Sequence, residues 1–216
     1  MLTLNLSADP GRALSVLCFG AHSDDIEIGC GGTLLHLRNT YPHLQLHWVV
    51  FSGAGIRGDE ARRGAELFAG DRSQAVIIKN YRDGFLPYIG MEVKEFFEEL
   101  KAKINPDLIF THWRGDAHQD HRIVCELTAN TFRDHLILEY EIPKYDGDMG
   151  RPNVFFPLEA PLYQQKVDHL LKAFTSQSVK RWFDRETFLG LMRIRGMECN
   201  SPSGYAEAFH SYKIVL

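Results

Sequence analysis

The feature that most constrains this chain is an alternation of short apolar runs with longer segments of helical period. Five runs rich in β-branched and apolar residues have the length of strands, and they span residues 13–20, 44–51, 74–79, 107–111 and 136–140. Between them, apolar side chains recur three or four positions apart, as on one face of a helix, over residues 31–39, 59–69, 91–103 and 120–132. Strands that alternate with helices indicate βαβ units, so we expect an α/β fold, a three-layer α/β/α Rossmann-like sandwich with a mostly parallel sheet.

The length of the chain, 216 residues, favours one domain, and no repeat, low-complexity segment or Ser/Pro/Gly-rich linker divides it. We therefore predict a single domain over residues 1–216. A stretch of helical period covers residues 161–197, and we interpret the part from about residue 160 onward as a helical region that shapes the substrate site. Hydrophobic residues make up 44% of the chain and charged residues 24%, which argues against disorder and coiled coil.

Charge and hydropathy narrow the class of partner. A net charge of −4 gives no basic footprint for nucleic acid, so we predict a small-molecule substrate. No apolar run reaches the roughly 18 residues that a membrane span requires. Residues 1–12 lack the cationic and apolar segments of a signal peptide, and the four cysteines include no CxxC pair, so we expect a cytoplasmic protein without disulfides. The sequence is compatible with a monomer or a homo-oligomer.

Ionisable side chains crowd the segments that follow the first and fourth predicted strands. The first segment reads AHSDDIEIGCGG over residues 21–32, and the second reads THWRGDAHQDH over residues 111–121. Because the ligand crevice of a parallel sheet lies beyond the carboxyl ends of its strands, we expect both segments to open onto one crevice. The glycines lack the GxGxxG spacing of a dinucleotide site and follow acidic residues that would face an anionic phosphate. We expect them to form a tight turn that starts the next helix.

Imidazoles and carboxylates in these two segments form the ligand set of a divalent ion such as zinc. His22 and Asp25 lie three residues apart in a strand-to-helix turn, and His121 would start the helix after the fourth strand. Three protein ligands with an open position are typical of a catalytic zinc site. We predict Zn²⁺ at these three residues, with Asp24 beside the metal and His112 as a hydrogen-bond partner. Fe²⁺ would fit the same nitrogen and oxygen ligands in a reducing cytoplasm.

The pairing of AHSDDIEIGCGGT, residues 21–33, with HQDH, residues 118–121, resembles the LmbE/PIG-L family of zinc-dependent de-N-acetylases. The marks of that family are an AHPDDE-like motif and a later HPDH-like motif. The resemblance extends to three further segments, at residues 56–70, 83–84 and 205–209. Ser23 and Gln119 stand where the family usually has proline, a difference that affects loop rigidity more than chemistry.

The resemblance implies the same three metal ligands and gives roles to their neighbours. Asp24 would be the general base. His118 would stabilise the oxyanion or protonate the leaving amine, and Asp120 would orient His118 from behind. Three residues are candidate substrate contacts, two from segments that match the family and one because its flat ring could stack on a sugar: Arg57, Asp83 and Trp113.

The expected activity is metal-dependent hydrolysis of the N-acetyl group of an amino sugar or glycoside, including a nucleotide-linked or lipid-linked one. The reaction class follows from the predicted site, whereas the sugar follows from the resemblance. Two alternatives are open: a metal-dependent amidase that acts on a non-sugar acylated amine, and a non-catalytic sugar-binding relative. The presence of Asp24 and His118 argues against the second, because loss of activity usually removes the base first.

Overall fold

A seven-stranded sheet with helices on both faces forms the frame of the protein, in a computed structural model that describes residues 12–215. The strands are β1 (Ser15–His22), β2 (Gln45–Ser52), β3 (Ser73–Ile78), β4 (Leu108–His112), β5 (Leu136–Tyr140), β6 (Val154–Pro157) and β7 (Ala206–Ser211). The helices are α1 (Asp25–Thr40), α2 (Ile56–Ala69), α3 (Gly90–Lys101), α4 (Gln119–Thr131), α5 (Ala160–Ala173) and α6 (Arg185–Glu198). The expectation that the chain has no signal peptide concerns residues 1–12, of which residues 1–11 lie outside the described residues.

The sheet order is β3-β2-β1-β4-β5-β7-β6. The first five strands of this order are mutually parallel, and β7 runs antiparallel to both β5 and β6. The predicted α/β sandwich with a mostly parallel sheet is confirmed. Because β1 pairs with β2 on one side and with β4 on the other, the direction of winding reverses at β1. A crevice opens at such a switch point, beyond the carboxyl ends of these two strands.

Two buried apolar clusters fill the space between the sheet and its helices. One joins the sheet to α1, α2, α5 and α6 and includes Phe68 and Phe174. The other lies under α3 and α4 and includes Phe97 and Val124. The helical region after residue 160 therefore packs into the same core cluster as the first two helices. Among residues 12–215, no helix combines the length and the apolar composition that crossing a bilayer requires.

The first helix differs from its predicted boundaries. It begins at Asp25, six residues before the predicted start at residue 31, so the glycines of the GCGG segment lie inside it. A Cβ atom at Gly29 would lie 2.2 Å from the Tyr140 ring, and one at Gly31 would lie 2.5 Å from the Phe68 ring. The prediction of a glycine turn before the helix is therefore wrong: these glycines let a strand and a second helix approach α1 closely.

Sequence analysis did not predict β6 or β7, and it treated residues 161–197 as one helical stretch. That stretch is two helices separated by a 3₁₀ turn at Thr175–Val179. The strand β7 contains a charged residue, Glu207, and its sequence therefore does not resemble that of a buried strand. The Glu207 carboxylate accepts hydrogen bonds from the backbone N–H groups of Gly32 and Thr33 and pairs with Lys166 Nζ at 2.6 Å. These partners compensate for its burial.

Candidate metal and catalytic site

The two predicted segments meet at the switch point of the sheet. His22 is the last residue of β1, Asp24 caps the N-terminus of α1, and Asp25 is the first residue of that helix. His121 lies in the first turn of α4, which follows β4. Since β1 and β4 are adjacent and parallel, both turns come to the same edge of the sheet. The predicted convergence of the two segments is thus present in the structure.

Three atoms of the predicted metal ligands face one point. His22 Nδ1 lies 3.1 Å from His121 Nε2 and 3.3 Å from Asp25 Oδ2, and the His121 and Asp25 atoms are 3.6 Å apart. Ligand atoms at about 2.1 Å from a tetrahedral zinc ion would lie about 3.4 Å from one another. The side chains at these positions therefore have the spacing that a single metal ion requires.

The hydrogen bonds on the far sides of the imidazole rings decide which nitrogens carry protons. His121 Nδ1 lies 2.9 Å from Asp116 Oδ2, and His22 Nε2 lies 3.0 Å from Asp83 Oδ1. In the neutral form of each ring these nitrogens donate to a carboxylate, so the other nitrogen presents a lone pair to the shared point. Two lone pairs and the Asp25 carboxylate repel one another at these distances. A cation between them removes the repulsion, and the N, N, O donor set suits zinc or ferrous iron.

The directions in which the pKa values of His22 and Asp25 shift agree with this arrangement of charges. Burial disfavours a charged His22, but Asp25 and the other nearby carboxylates outweigh burial and raise the pKa of His22 well above its usual value. Burial also disfavours an ionised Asp25, but the imidazoles, led by those of His121 and His112, hold the pKa of Asp25 well below its usual range. Both shifts indicate a site that stabilises positive charge beside a carboxylate.

Two further histidines border this point, within groups of side chains that could share an ion. His112 is fully buried, and its Nε2 accepts a hydrogen bond of 2.9 Å from the Ala21 N–H, as expected for a partner that supports the site. His118 caps the N-terminus of α4, with its Nδ1 accepting from the Asp120 N–H at 3.2 Å. The His118 proton therefore resides on Nε2. Burial, aided by the neighbouring His121 and His22, lowers the pKa of His118, which favours this neutral tautomer.

Asp24 is buried beside the predicted metal ligands and pairs with Arg57. Arg57 Nη2 donates to Asp24 Oδ1 at 2.7 Å, and Arg57 Nη1 donates to Glu60 at 2.7 Å. Burial raises the pKa of Asp24, and the guanidinium of Arg57 opposes that rise without cancelling it. Arg57 was predicted to contact substrate. It lines the cavity described below, but its resolved hydrogen bonds hold Asp24.

The side chain of Asp120 contacts the loop after β3 and His22 rather than His118, which the resemblance implied that it orients. Its carboxylate accepts hydrogen bonds from the N–H groups of Gly84 and Leu86, at 2.7 and 3.1 Å, and one oxygen lies 3.4 Å from His22 Nε2. Its contact with His118 runs through its backbone N–H. The side chain of Asp120 is thus placed to hold a metal ligand and the loop after β3.

Asp116, to which sequence analysis gave no role, and Lys144 also belong to the site. Asp116 Oδ2 accepts a hydrogen bond of 2.9 Å from His121 Nδ1–H, and its other oxygen lies 3.0 Å from Lys144 Nζ, which also pairs with Asp148 at 2.5 Å. Asp116 stands two residues before the HQDH motif, inside a segment already singled out, and that position was the available signal. Lys144 comes to the site from the loop after β5.

A cavity of about 630 Å³ opens over the site. Its floor includes the predicted metal ligands, and its walls include Asp83 and Arg57, two of the three predicted substrate contacts. The structure does not bring Trp113 to them: that indole stacks on the His210 ring, with centroids 4.8 Å apart and planes 14° apart. Trp182, from the segment between α5 and α6, lines the cavity instead.

Comparison with known proteins supplies the family. The family model described as PIG-L, GlcNAc-PI de-N-acetylase, matches residues 17–132, more than half of the chain. The chain belongs to the PIG-L family. The match to this family includes every predicted metal ligand and the three predicted catalytic residues, whereas the cavity residues contributed by the loop after β5 and by residues 177–182 lie beyond it.

Solved structures share the PIG-L fold of this chain. The N,N'-diacetylchitobiose deacetylase of Pyrococcus horikoshii is 19% identical with a TM-score of 0.67, and the alignment covers 91% of this chain and 83% of that one. A zinc-inhibited form of the teicoplanin deacetylase Orf2 is 12% identical with a TM-score of 0.72, over 91% and 97%. The 4-carboxy-2-hydroxymuconate hydratase GalB of Pseudomonas putida is 16% identical with a TM-score of 0.70, over 94% and 98%. Since that fold is shared by hydrolases and a hydratase, the reaction has to be argued from the site.

Proposed function

We propose that this protein is a metal-dependent hydrolase that removes the acetyl group from the nitrogen of an N-acetylated amino sugar or glycoside. Zn²⁺ is the proposed metal, and Fe²⁺ suits the same ligands. Membership of the PIG-L family supports the reaction and the sugar. The observation that carries the metal is the convergence of two imidazole lone pairs and one carboxylate oxygen within 3.1–3.6 Å of one another.

In this proposal His22, Asp25 and His121 hold the ion, and Asp116 and Asp83 fix the orientation of the two imidazoles. A divalent ion in such a site lowers the pKa of water and polarises a carbonyl oxygen. Asp83 is 74% exposed at its side chain, so it can also meet substrate in the cavity. These residues bring the acetamide carbon next to Asp24.

Asp24 is the proposed general base. Its carboxylate takes a proton from the attacking water, and Arg57 keeps the carboxylate oriented through the hydrogen bond of 2.7 Å. The carbonyl oxygen gains negative charge as water adds to the acetamide carbon. His118 Nε2–H donates a hydrogen bond to that oxygen, a role that suits an imidazole whose other nitrogen is occupied by the Asp120 N–H.

The carbon–nitrogen bond breaks only if the departing amine gains a proton. Because the lowered pKa of His118 favours its neutral form, Asp24 is the better donor of that proton. The proton taken from water thus moves to the leaving nitrogen, and the products are acetate and a free amine. The raised pKa of Asp24 helps here, because a weaker acid is a stronger base before it returns the proton.

The test compares three variants with the wild-type chain. Metal content is measured for each protein. Acetate release is measured with N-acetylglucosamine, a methyl N-acetylglucosaminide and a non-sugar acetamide as substrates. His121→Ala is expected to lose both metal and activity. Asp24→Asn is expected to keep the metal and lose activity by about a hundredfold or more, the usual effect of removing a general base. Asp59→Asn, an exposed carboxylate on α2, is the matched control and should behave as wild type.

Three results would contradict the proposal in different ways. Full activity of Asp24→Asn would show that Asp24 is not the general base. Faster acetate release from the non-sugar acetamide than from either sugar would favour the amidase alternative. Tight binding of the glycoside to metal-loaded protein without any acetate release would favour the non-catalytic sugar-binding alternative.

A further inference from the structure

The carboxylate of Asp24 accepts one hydrogen bond from residues 12–215, and that bond occupies one of its two oxygens. Arg57 Nη2 donates to Asp24 Oδ1 at 2.7 Å, and none of the described residues donates to Oδ2. Asp24 lines the cavity, and its side chain retains 7% exposure. Oδ2 is therefore the oxygen left to take a proton from the attacking water, provided that Arg57 binds Oδ1 alone.

An arginine beside a carboxylate frequently binds both of its oxygens. The planar guanidinium presents parallel N–H donors that match the two oxygens, and this bidentate pair is stronger than a single hydrogen bond. Arg57 departs from that pattern because its second Nη atom is engaged elsewhere: Nη1 donates to Glu60 Oε2 at 2.7 Å. The guanidinium of Arg57 thus spans two carboxylates, with one Nη atom on each.

Glu60 is held in place by the 3₁₀ turn between α5 and α6. The residue is 5% exposed and lies behind the cavity lining, of which it is not a part. Its Oε1 accepts from the Ser176 N–H at 2.7 Å, and its Oε2 accepts from the Ser176 hydroxyl at 2.7 Å. Together with Arg57 Nη1, these donors compensate for the burial of the charge. Glu60 therefore has no direct contact with the cavity, but it fixes the direction in which the Arg57 guanidinium points.

The residue before this turn also restrains the guanidinium. Arg57 Cζ lies 5.7 Å from the centroid of the Phe174 ring, which is fully buried, and this distance is typical of a cation–π contact. Phe174 and Ser176 both lie outside residues 17–132, which match the PIG-L family model. The support of Arg57 thus comes partly from a segment of the chain that the family match does not cover.

We propose that Glu60 is a positioning residue for the general base: it holds Arg57 on a single oxygen of Asp24 and so keeps Oδ2 free for the attacking water. Without Glu60, the released Nη1 of Arg57 would turn to Oδ2, and the resulting bidentate pair would occupy both oxygens of the base. Ser176 contributes by fixing the Glu60 carboxylate. This inference rests on the proposed deacetylase function, in which Asp24 takes the proton, and adds a residue that acts on Asp24 through Arg57.

Steady-state acetate release from methyl N-acetylglucosaminide by the metal-loaded, full-length chain tests this role. Glu60→Gln keeps the shape of the side chain but offers one acceptor oxygen to three donors, so the hold on Arg57 is lost. We expect kcat to fall about tenfold, with KM within about twofold of wild type and with the metal content unchanged. Ser176→Ala should lower kcat by about two- to threefold, because Glu60 keeps its charge and two of its donors. It provides the same test should Glu60→Gln fail to fold. Glu66→Gln, the same substitution at an exposed position of α2, is the matched control and should behave as wild type.

A double-mutant cycle shows whether Glu60 acts through Arg57. Arg57→Gln should itself lower kcat, since it removes the donor that orients Asp24. Adding Glu60→Gln to Arg57→Gln should then lower kcat no further, because the connection from Glu60 to Asp24 is already broken. If the two losses multiply instead, Glu60 acts independently of Arg57, as a merely structural residue would, and the proposal is wrong.

Crystal structures of metal-loaded Glu60→Gln and Glu66→Gln give a readout that does not depend on turnover. Arg57 should contact both oxygens of Asp24 in Glu60→Gln and one oxygen in Glu66→Gln. An Arg57 that stays on one oxygen in Glu60→Gln would overturn the positioning role, as would an unchanged kcat or an equal loss of kcat in the two variants. Failure of the deacetylase proposal is separable from these results. If wild-type protein releases no acetate, that proposal fails, whereas a bidentate Arg57 in Glu60→Gln would still show that Glu60 holds the guanidinium away from Oδ2.

Discussion

Each of the two predicted imidazole ligands is oriented through the ring nitrogen that faces away from the proposed metal position. His121 and His22 each donate from one ring nitrogen to a carboxylate, so the opposite nitrogen is fixed as a lone-pair donor. The convergence of the predicted metal ligands could be predicted from the sequence, because an imidazole and a carboxylate in one turn and a second imidazole after the neighbouring strand lie at the same edge of a parallel sheet. The sequence did not show which carboxylates would bind the far nitrogens of these imidazoles, since Asp83 and Asp116 reach the rings only through the conformation of their loops.

Removing the partner of one imidazole should weaken the metal site. In Asp116→Asn, His121 loses the carboxylate that holds its tautomer, and we expect affinity for Zn²⁺ to fall about ten- to a hundredfold. Competition with a chromophoric zinc chelator measures the affinity. Asp59→Asn serves again as the control at an exposed carboxylate. An unchanged zinc affinity in Asp116→Asn would mean that Asp116 does not orient His121.

At the scale of elements, the packing of the fold depends on the close approach of α1 to β5 and α2. The periodic pattern predicted four helices and five strands within a few residues, because apolar side chains on one face are a local property. It placed the start of α1 too late, because the value of glycine at residues 29–32 depends on Tyr140 and Phe68, which are distant in sequence. The missed strands β6 and β7 depend similarly on partners, Lys166 among them, that no local pattern contains.

Two glycine-to-alanine substitutions should therefore have opposite effects. At Gly29 the new methyl group would meet the Tyr140 ring at 2.2 Å, and we expect a loss of about 1–3 kcal/mol in the free energy of unfolding. At Gly190, inside α6, nothing lies within 4 Å of the new methyl group, and the better helix former should add about 0.5–1 kcal/mol. Urea denaturation of both variants checks this. Stabilisation by Gly29→Ala would contradict the close packing of α1 on β5.

For the whole molecule, histidines outside the site link stability to pH. Burial lowers the pKa of His47 on β2, and the pKa values of His36 and His169 are lowered by burial as well. The unfolded chain binds a proton at these residues near pH 6.5, at a higher pH than the folded protein does. Stability contributed by these neutral imidazoles is therefore present above about pH 6.5 and is lost as the pH falls below it.

The contribution of His47 to the free energy of unfolding should consequently decrease between pH 7.5 and 5.5, so that His47→Gln loses less stability over this range than wild type does. Chelator in every sample keeps both proteins free of metal, so that groups common to the two titrate alike and the difference between them reports His47. His43→Gln, at an exposed position, should follow the wild-type curve. A wild-type slope in His47→Gln would show that this imidazole titrates alike in both states.

The antiparallel strand β7 is translated late but completes hydrogen bonds of the first helix. It is inserted between β5 and β6, and its Glu207 supplies the carboxylate that the amides of Gly32 and Thr33 and the buried ammonium of Lys166 share. On the ribosome, both histidine motifs emerge long before this residue. A chain translated only as far as α6 lacks this carboxylate, so the amides of Gly32 and Thr33 and the ammonium of Lys166 gain their shared partner only once β7 has been made.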